Sequence, residues 1–320
     1  MIRLVERATE LRQVMTLIER AREGTGGLLL LEGEAGIGKT TILREAAAIA
    51  AQEGIAVARA TGHPIESTLS FGLVRQLLEP ALAGVAPEER AALAAGPARA
   101  AVALLEGAPA TGSEELELVH AAYRLVAELA TAGGDRPWLV VVDDLHWGDR
   151  SSVTFLLYLA QRLADLPVAL LATVRTGETT DVDDLLGRLL AEVGLGGTTL
   201  GPLSADACTE LVRRRFPEAA DTYCAECARV TGGNPLLINE LLQAVATSGA
   251  TSGAATDDDA AQRLHETSSV SLQRSTSLRL AGAGEAGREV AEALAVLEPG
   301  APLRRVAALA GLPTEVAASA

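Results

Sequence analysis

The sequence predicts an α/β fold, a mainly parallel sheet flanked by helices, and three observations carry that expectation. Short apolar runs of strand length alternate with helix-period stretches along residues 11–203. Hydrophobic residues make up 48% and charged residues 22%, a balance that suits a sizeable buried core. Residues 33–40, GEAGIGKT, place a glycine-rich turn between an apolar run and a helical one.

Leu11, Val14, Ile18 and Ala21 fall on one stripe of a first helix. Leu28–Glu32 reads as a buried strand, and Ile42, Leu43, Ala46 and Ile49 as the helix after it. Ile55–Arg59 is the next strand. Residues 71–132 are Ala-rich and helical, broken at Pro87, Pro97 and Pro109. Trp138–Val142 forms a third strand, followed by a helix through Phe155, Leu159 and Leu163. Val168–Thr173 is a fourth, and Thr198–Leu203 a weaker fifth. Residues 204–246 are helical with a break at Gly232–Pro235. The stretch opening TSGATSGAATDDD at Thr247 has no apolar period, so 247–268 is expected to be a flexible linker before the short helices of 269–320. The uncharged finish at EVAASA reads as though a longer protein continued.

At 320 residues, two packed units are the expectation. The 27 basic and 42 acidic residues give a net charge of −15, which argues against direct coating of DNA or of an anionic membrane. No window has the length and apolarity of a membrane helix, the start is no signal peptide, and three cysteines make no disulfide framework. The reading is cytoplasmic and soluble. Of the 27 basic residues, every one is Arg except Lys39.

That single lysine closes a G-x-x-x-x-G-K-[ST] pattern, with strand before and helix after. Gly33, Gly36 and Gly38 let successive N–H groups converge on phosphate oxygens, and the helix from Lys39 points its positive end at the same anion. Lys39 would reach β- and γ-phosphates, and the Thr40 hydroxyl would take one Mg²⁺ position. Residues 139–144, LVVVDD, put two carboxylates at a strand end. Asp143 is placed to hold Mg²⁺ through water, and Asp144 to orient or deprotonate the water attacking the γ-phosphate. Arg175, ending the next strand, could sense the γ-phosphate or stabilise developing charge.

Together with VVVDDLHWGD, LLATVR, GGNPLLINEL, LVERATEL and GHPIESTLSFGLVRQLLEP, the loop resembles the STAND-class P-loop ATPases. The likeness is to the Orc-like AAA ATPase region of the large ATP-binding LuxR-type regulators of actinobacteria. The resemblance implies an ASCE/AAA-like P-loop NTPase core over 1–203, an all-helical lid over 204–246 and a partial winged-helix-like segment over 269–320. It implies ATP with Mg²⁺, phosphates held by Gly33, Glu34, Ala35, Gly36, Ile37, Gly38, Lys39, Thr40 and Thr41, adenine near Val5–Arg7, Arg175 as the sensor and Pro235 contacting nucleotide from the lid. Glu6 stands where the family usually has Gly. No LuxR-like helix-turn-helix is present, so the chain reads as a fragment or as a stand-alone relative.

The implied function is a slowly hydrolysing nucleotide switch that acts through self-association or a downstream output module. A ring-forming remodelling ATPase, with Arg136 or Arg150 as finger, and a module that holds ATP without turnover are the alternatives. A guanine-selective N-K-x-D loop is excluded because the only lysine is already used. GAGEAG at 282–287 follows no strand, and Cys224 and Cys227 lie in a helical stretch without a second pair at zinc spacing, so neither is read as a site. His146 and Trp147 read as packing, and Arg213–Arg215 as a solvated helix face.

Overall fold

The computed structural model describes residues 4–108, 115–131, 137–178, 180–192, 197–247, 284–297 and 301–319. Nearly all of the expected 247–268 linker, the start of the 269–320 segment, the first residues of GAGEAG and Arg136 lie outside the described residues. The described chain forms two units, dividing between Pro202 and Leu203.

The first unit is built on β1 (Gly27–Gly33), β2 (Ala56–Thr61), β3 (Trp138–Asp143), β4 (Val168–Arg175) and β5 (Thr198–Thr199). They form one sheet in the order β2-β3-β4-β1-β5, with every pairing parallel. The apolar runs are continuous because both faces of the sheet are covered. Leu29, Leu31, Leu139, Val141 and Leu171 pack on one face against α1 (Ala8–Arg22) and α2 (Lys39–Gln52). Leu28, Leu30, Val140, Val142 and Leu170 pack on the other, against α3 (Gly72–Ala83), α5 (Arg99–Leu105), α6 (Glu115–Thr131), α7 (Arg150–Ala160) and α8 (Asp183–Glu192). The short α4 (Pro87–Ala95) begins on Pro87 as its first residue, which suits a ring with no N–H to lose.

The helix after β1, α2, thus leaves to one face, and the helix after its neighbour β4, α8, to the other. That divergence is a topological switch point, and open α/β sheets take ligands at the carboxyl ends of the strands beside it. Asp149, only 4% exposed, fixes that end of the sheet by capping two helices at once. Its carboxylate accepts from Phe71 N at 2.8 Å and Gly72 N at 2.9 Å at the start of α3, and from Ser152 N at 2.9 Å in α7.

Strand limits shift by one or two residues from the sequence reading, and three differences are larger. The α7 helix stops at Ala160, and Leu163 sits in a separate 3-10 turn. The fifth strand keeps only Thr198–Thr199, because at Gly201–Pro202 the chain leaves the sheet. The α8 helix, DDLLGRLLAE, was not expected at all: Gly187 weakens its propensity, and its apolar stripe of Leu185, Leu186 and Leu189 earns its helicity from packing.

In the second unit, α9 (Ala205–Arg215), α10 (Asp221–Thr231) and α11 (Pro235–Thr247) pack around Cys208, Val212, Tyr223, Cys227, Ile238 and Leu241. Gly232 ends α10 at φ 58°, and Asn234 Oδ1 caps α11 by accepting from Leu236 N at 3.0 Å. Further on, α12 (Gly284–Val296), α13 (Leu303–Ala310) and α14 (Thr314–Ser319) contact one another. Among the described residues no helix is long and apolar enough to cross a membrane.

Candidate functional site

The loop between β1 and α2 curls because Gly36 and Gly38 take φ of 78° and 108°, values a side chain rarely tolerates. Lys39 opens α2 and is 5% exposed. Its ammonium donates to Gly33 O at 2.6 Å and Glu34 O at 2.9 Å, bridging the start of the loop to its end. Burial lowers the Lys39 pKa, while Asp144 is the largest influence restoring the charge. A phosphate oxygen at this point meets a cation short of hydration. Thr40 and Thr41 follow on the first turn of α2, both half-buried.

Strand register brings the remaining groups to the same edge. Gly33 pairs with Arg175 across β1 and β4, and Val142 with Ala172 across β3 and β4, so Asp143 comes level with Thr173. The fully buried Thr173 hydroxyl donates to Asp143 Oδ1 at 2.6 Å and accepts from Asp144 N at 2.8 Å. Asp143 Oδ1 also accepts from Asp144 N at 3.1 Å, and Oδ2 takes no hydrogen bond among the described residues. Asp144 sits at φ 47°, turning its carboxylate out of the strand line. Gly62 makes room for that turn, since a Cβ there would collide with the Asp144 carbonyl.

Arg175 reaches back to Asp144, with Nε on Oδ1 and Nη2 on Oδ2, both at 3.3 Å. Its Nη1 donates to Glu178 Oε1 at 3.1 Å. Burial works against the Arg175 charge, but Asp144 and Glu178 outweigh it and hold the pKa above its ordinary value. His146 Nε2 lies 3.2 Å from Glu178 Oε2 without the alignment of a hydrogen bond, and neither ring nitrogen has a hydrogen-bond partner among the described residues. His146 is 2% exposed, and that burial is the main reason its pKa falls.

The opening segment docks beneath this loop. Arg7, 7% exposed, donates to Ile37 O at 3.2 Å and Gly201 O at 2.7 Å. Glu6 just before it adopts φ 55°, a conformation that glycine takes freely. Pro235 opens α11 in the second unit. Arg150, one of the finger candidates, is held in its own chain by both Asp184 oxygens at 3.1 and 2.8 Å. Cys224 and Cys227 are buried thiols on α10, with Cys227 pushed up to about 12 by burial.

Among the described residues no cluster of three or more His, Cys, Asp or Glu side chains could hold a metal ion. A Mg²⁺ ion bound with nucleotide needs only one or two protein oxygens, the rest coming from phosphate and water, and the Thr40 hydroxyl with the open Asp143 oxygen fits that need. Sequence reasoning passed over Thr173, Glu178 and the strut made by Arg7. A polar Thr inside the apolar run LLATVR was the one available signal for the first; Glu178 lies in a loop with no pattern to mark it.

A model of the family described as AAA ATPase domain matches residues 3–171. An uncharacterized protein of Rhizobium meliloti is 28% identical over 277 residues, covering 75% of this chain and 25% of that protein, so the chain spans about a quarter of its relative. The solved Aeropyrum pernix ORC2 protein, in ADPNP–ADP complexes, matches 83% of this chain and 69% of its own with TM-score 0.54 and 14% identity. The Aeropyrum pernix ORC1 protein, in complex with DNA, matches 96% and 77% with TM-score 0.53 and 18% identity. A Thermotoga maritima RuvB variant matches 99% and 85% with TM-score 0.52 and 13% identity. At these identities the likeness is one of fold, that of the P-loop NTPases.

Proposed function

Because the chain belongs to the AAA ATPase domain family, we propose that it binds ATP with Mg²⁺ at the carboxyl edge of β1, β3 and β4 and hydrolyses it slowly as a signalling switch. The observation that carries this reading is the register that sets the Lys39 loop, Asp143 and Arg175 side by side. The N–H groups of residues 33–41 take the phosphates, and Lys39 meets the β- and γ-oxygens. Thr40 would hold Mg²⁺ by its hydroxyl and Asp143 through water, and the ion would neutralise charge on those oxygens. Thr173 fixes the Asp143 carboxylate by its bond at 2.6 Å. Asp144 orients the attacking water and accepts its proton, and Arg175 meets the γ-phosphate as charge redistributes.

The finer reading is a STAND-type module of a LuxR-family transcriptional regulator, or a stand-alone relative, with 204–246 as its helical lid. It is supported by the motif order along the chain, and it makes the partner an output module and not DNA itself.

Titration with a fluorescent ATP analogue in Mg²⁺ tests the site. Wild type binds, and Lys39→Ala weakens binding about a hundredfold or more, as expected when a buried charge-assisted contact is lost. Equal affinity for the two proteins would refute the assignment.

A further inference from the structure

Arg175 turns three of its five N–H groups onto carboxylates of its own chain. Its Nε and Nη2 each lie 3.3 Å from an Asp144 oxygen, and its Nη1 lies 3.1 Å from Glu178. A γ-phosphate that takes this guanidinium as its partner competes with those carboxylates for it. Asp144 is the poorer candidate to yield, because it grips with both oxygens and its side chain is 23% exposed against 36% for Glu178. Glu178 also has a second place to go. Its other oxygen is 3.2 Å from His146 Nε2, on a ring that is 2% exposed and has no hydrogen-bond partner on either nitrogen among the described residues.

The charges point the same way. Asp144, Arg175, Asp143 and Glu178 all act on Lys39. Two cations therefore face three carboxylates, with His146 kept neutral by its burial. A triphosphate approaches a site one charge on the negative side. Glu178 supplies that excess without touching the phosphate loop.

We propose that Glu178 is a positioning residue that restrains Arg175: it holds the guanidinium on Asp144 and raises the threshold for ATP, passing to His146 when a γ-phosphate takes its place. The inference rests on the reading of Lys39 and Arg175 as ATP-binding groups. It makes the chain selective for the third phosphate, because the γ-phosphate of ATP brings the oxygens that compete with Glu178 for its partner.

The test measures MgATP and MgADP affinities of the whole chain for wild type, Glu178→Gln, Arg175→Gln and the double variant. Glu178 is part-exposed, so Glu178→Gln should fold, and an unchanged urea midpoint verifies it. Removing one unit charge near a phosphate should tighten MgATP about three- to tenfold, with MgADP moving less than about twofold. In the Arg175→Gln background the gain should vanish, the signature of a coupled pair. A merely structural Glu178 would change both nucleotides alike. Weaker or unchanged ATP binding in Glu178→Gln, equal gains for ATP and ADP, or a gain that survives Arg175→Gln would each overturn the proposal while leaving the ATP site standing. A wild-type chain that binds no MgATP would instead fail the underlying reading, and this proposal with it.

Discussion

Replacing Arg7 by Ala removes a guanidinium that ties the phosphate loop, through Ile37 O, to the end of the sheet unit, through Gly201 O. Arg7 is 7% exposed, so little water can reach the carbonyls it leaves behind. A hydrogen bond from a charged donor contributes about 1.5–3 kcal/mol, so two such bonds lost together cost about 3–5 kcal/mol. The contact with Glu10 is long at 3.7 Å, but the two side chains are only 8% and 14% exposed, so its loss adds to that cost. Against a typical total of about 5–15 kcal/mol this is a large share. Urea unfolding followed by tryptophan fluorescence isolates the effect, because the chain's two tryptophans, Trp138 and Trp147, both belong to the sheet unit. With a slope of about 2–3 kcal/mol per molar, the midpoint should fall by about 1–2 M in Arg7→Ala, and by about half that in Arg7→Lys, which reaches a single carbonyl. A shift under about 0.3 M would refute the reasoning and mean that solvent or neighbouring N–H groups replace the guanidinium.

Other perturbations probe the site and the helical unit. Thr173→Val keeps the shape of a fully buried side chain but deletes the hydroxyl shared by Asp143 and Asp144; it should lower stability by about 1.5–3 kcal/mol in the same urea assay and cut ATP turnover at least tenfold. Lys39 has a lowered pKa, and phosphate should raise it again, so MgATP binding at alkaline pH should take up protons; calorimetry in two buffers of different ionisation heat reads the sign, and proton release would contradict it. His146 also has a lowered pKa, so the unfolded chain holds more protons there once pH drops below about 6.5, and stability is lost as pH falls through that value. The urea midpoint should therefore fall between pH 7.5 and 5.5 on that account, and less so in His146→Gln. The three cysteines are at most 1% exposed and Cys227 is pushed up to about 12; a disulfide-exchange reagent should leave them untouched in the native chain and titrate all of them in denaturant.

Much of the architecture was legible because its signals are local. Leu28–Glu32 and Trp138–Val142 are apolar on both faces, a pattern of buried parallel strands, and GEAGIGKT carries its own turn chemistry. What stayed hidden depends on register or packing. Thr173 acquires its role only because β3 and β4 align Asp143 beside it. Glu178 matters through contacts with Arg175 and His146 that a loop sequence does not announce. The α8 helix is stabilised by its Leu stripe against the core, and Gly187 masks it in the sequence. Arg7 spans 194 positions to Gly201, a separation no local pattern encodes.

The most direct measurement is a structure of the chain with Mg²⁺ and a non-hydrolysable ATP analogue. The account predicts phosphate oxygens within hydrogen-bonding reach of the Gly36, Gly38 and Lys39 N–H groups, with the Lys39 ammonium turned onto them. Analogue bound elsewhere, with that ammonium still resting on the Gly33 and Glu34 carbonyls, would contradict it.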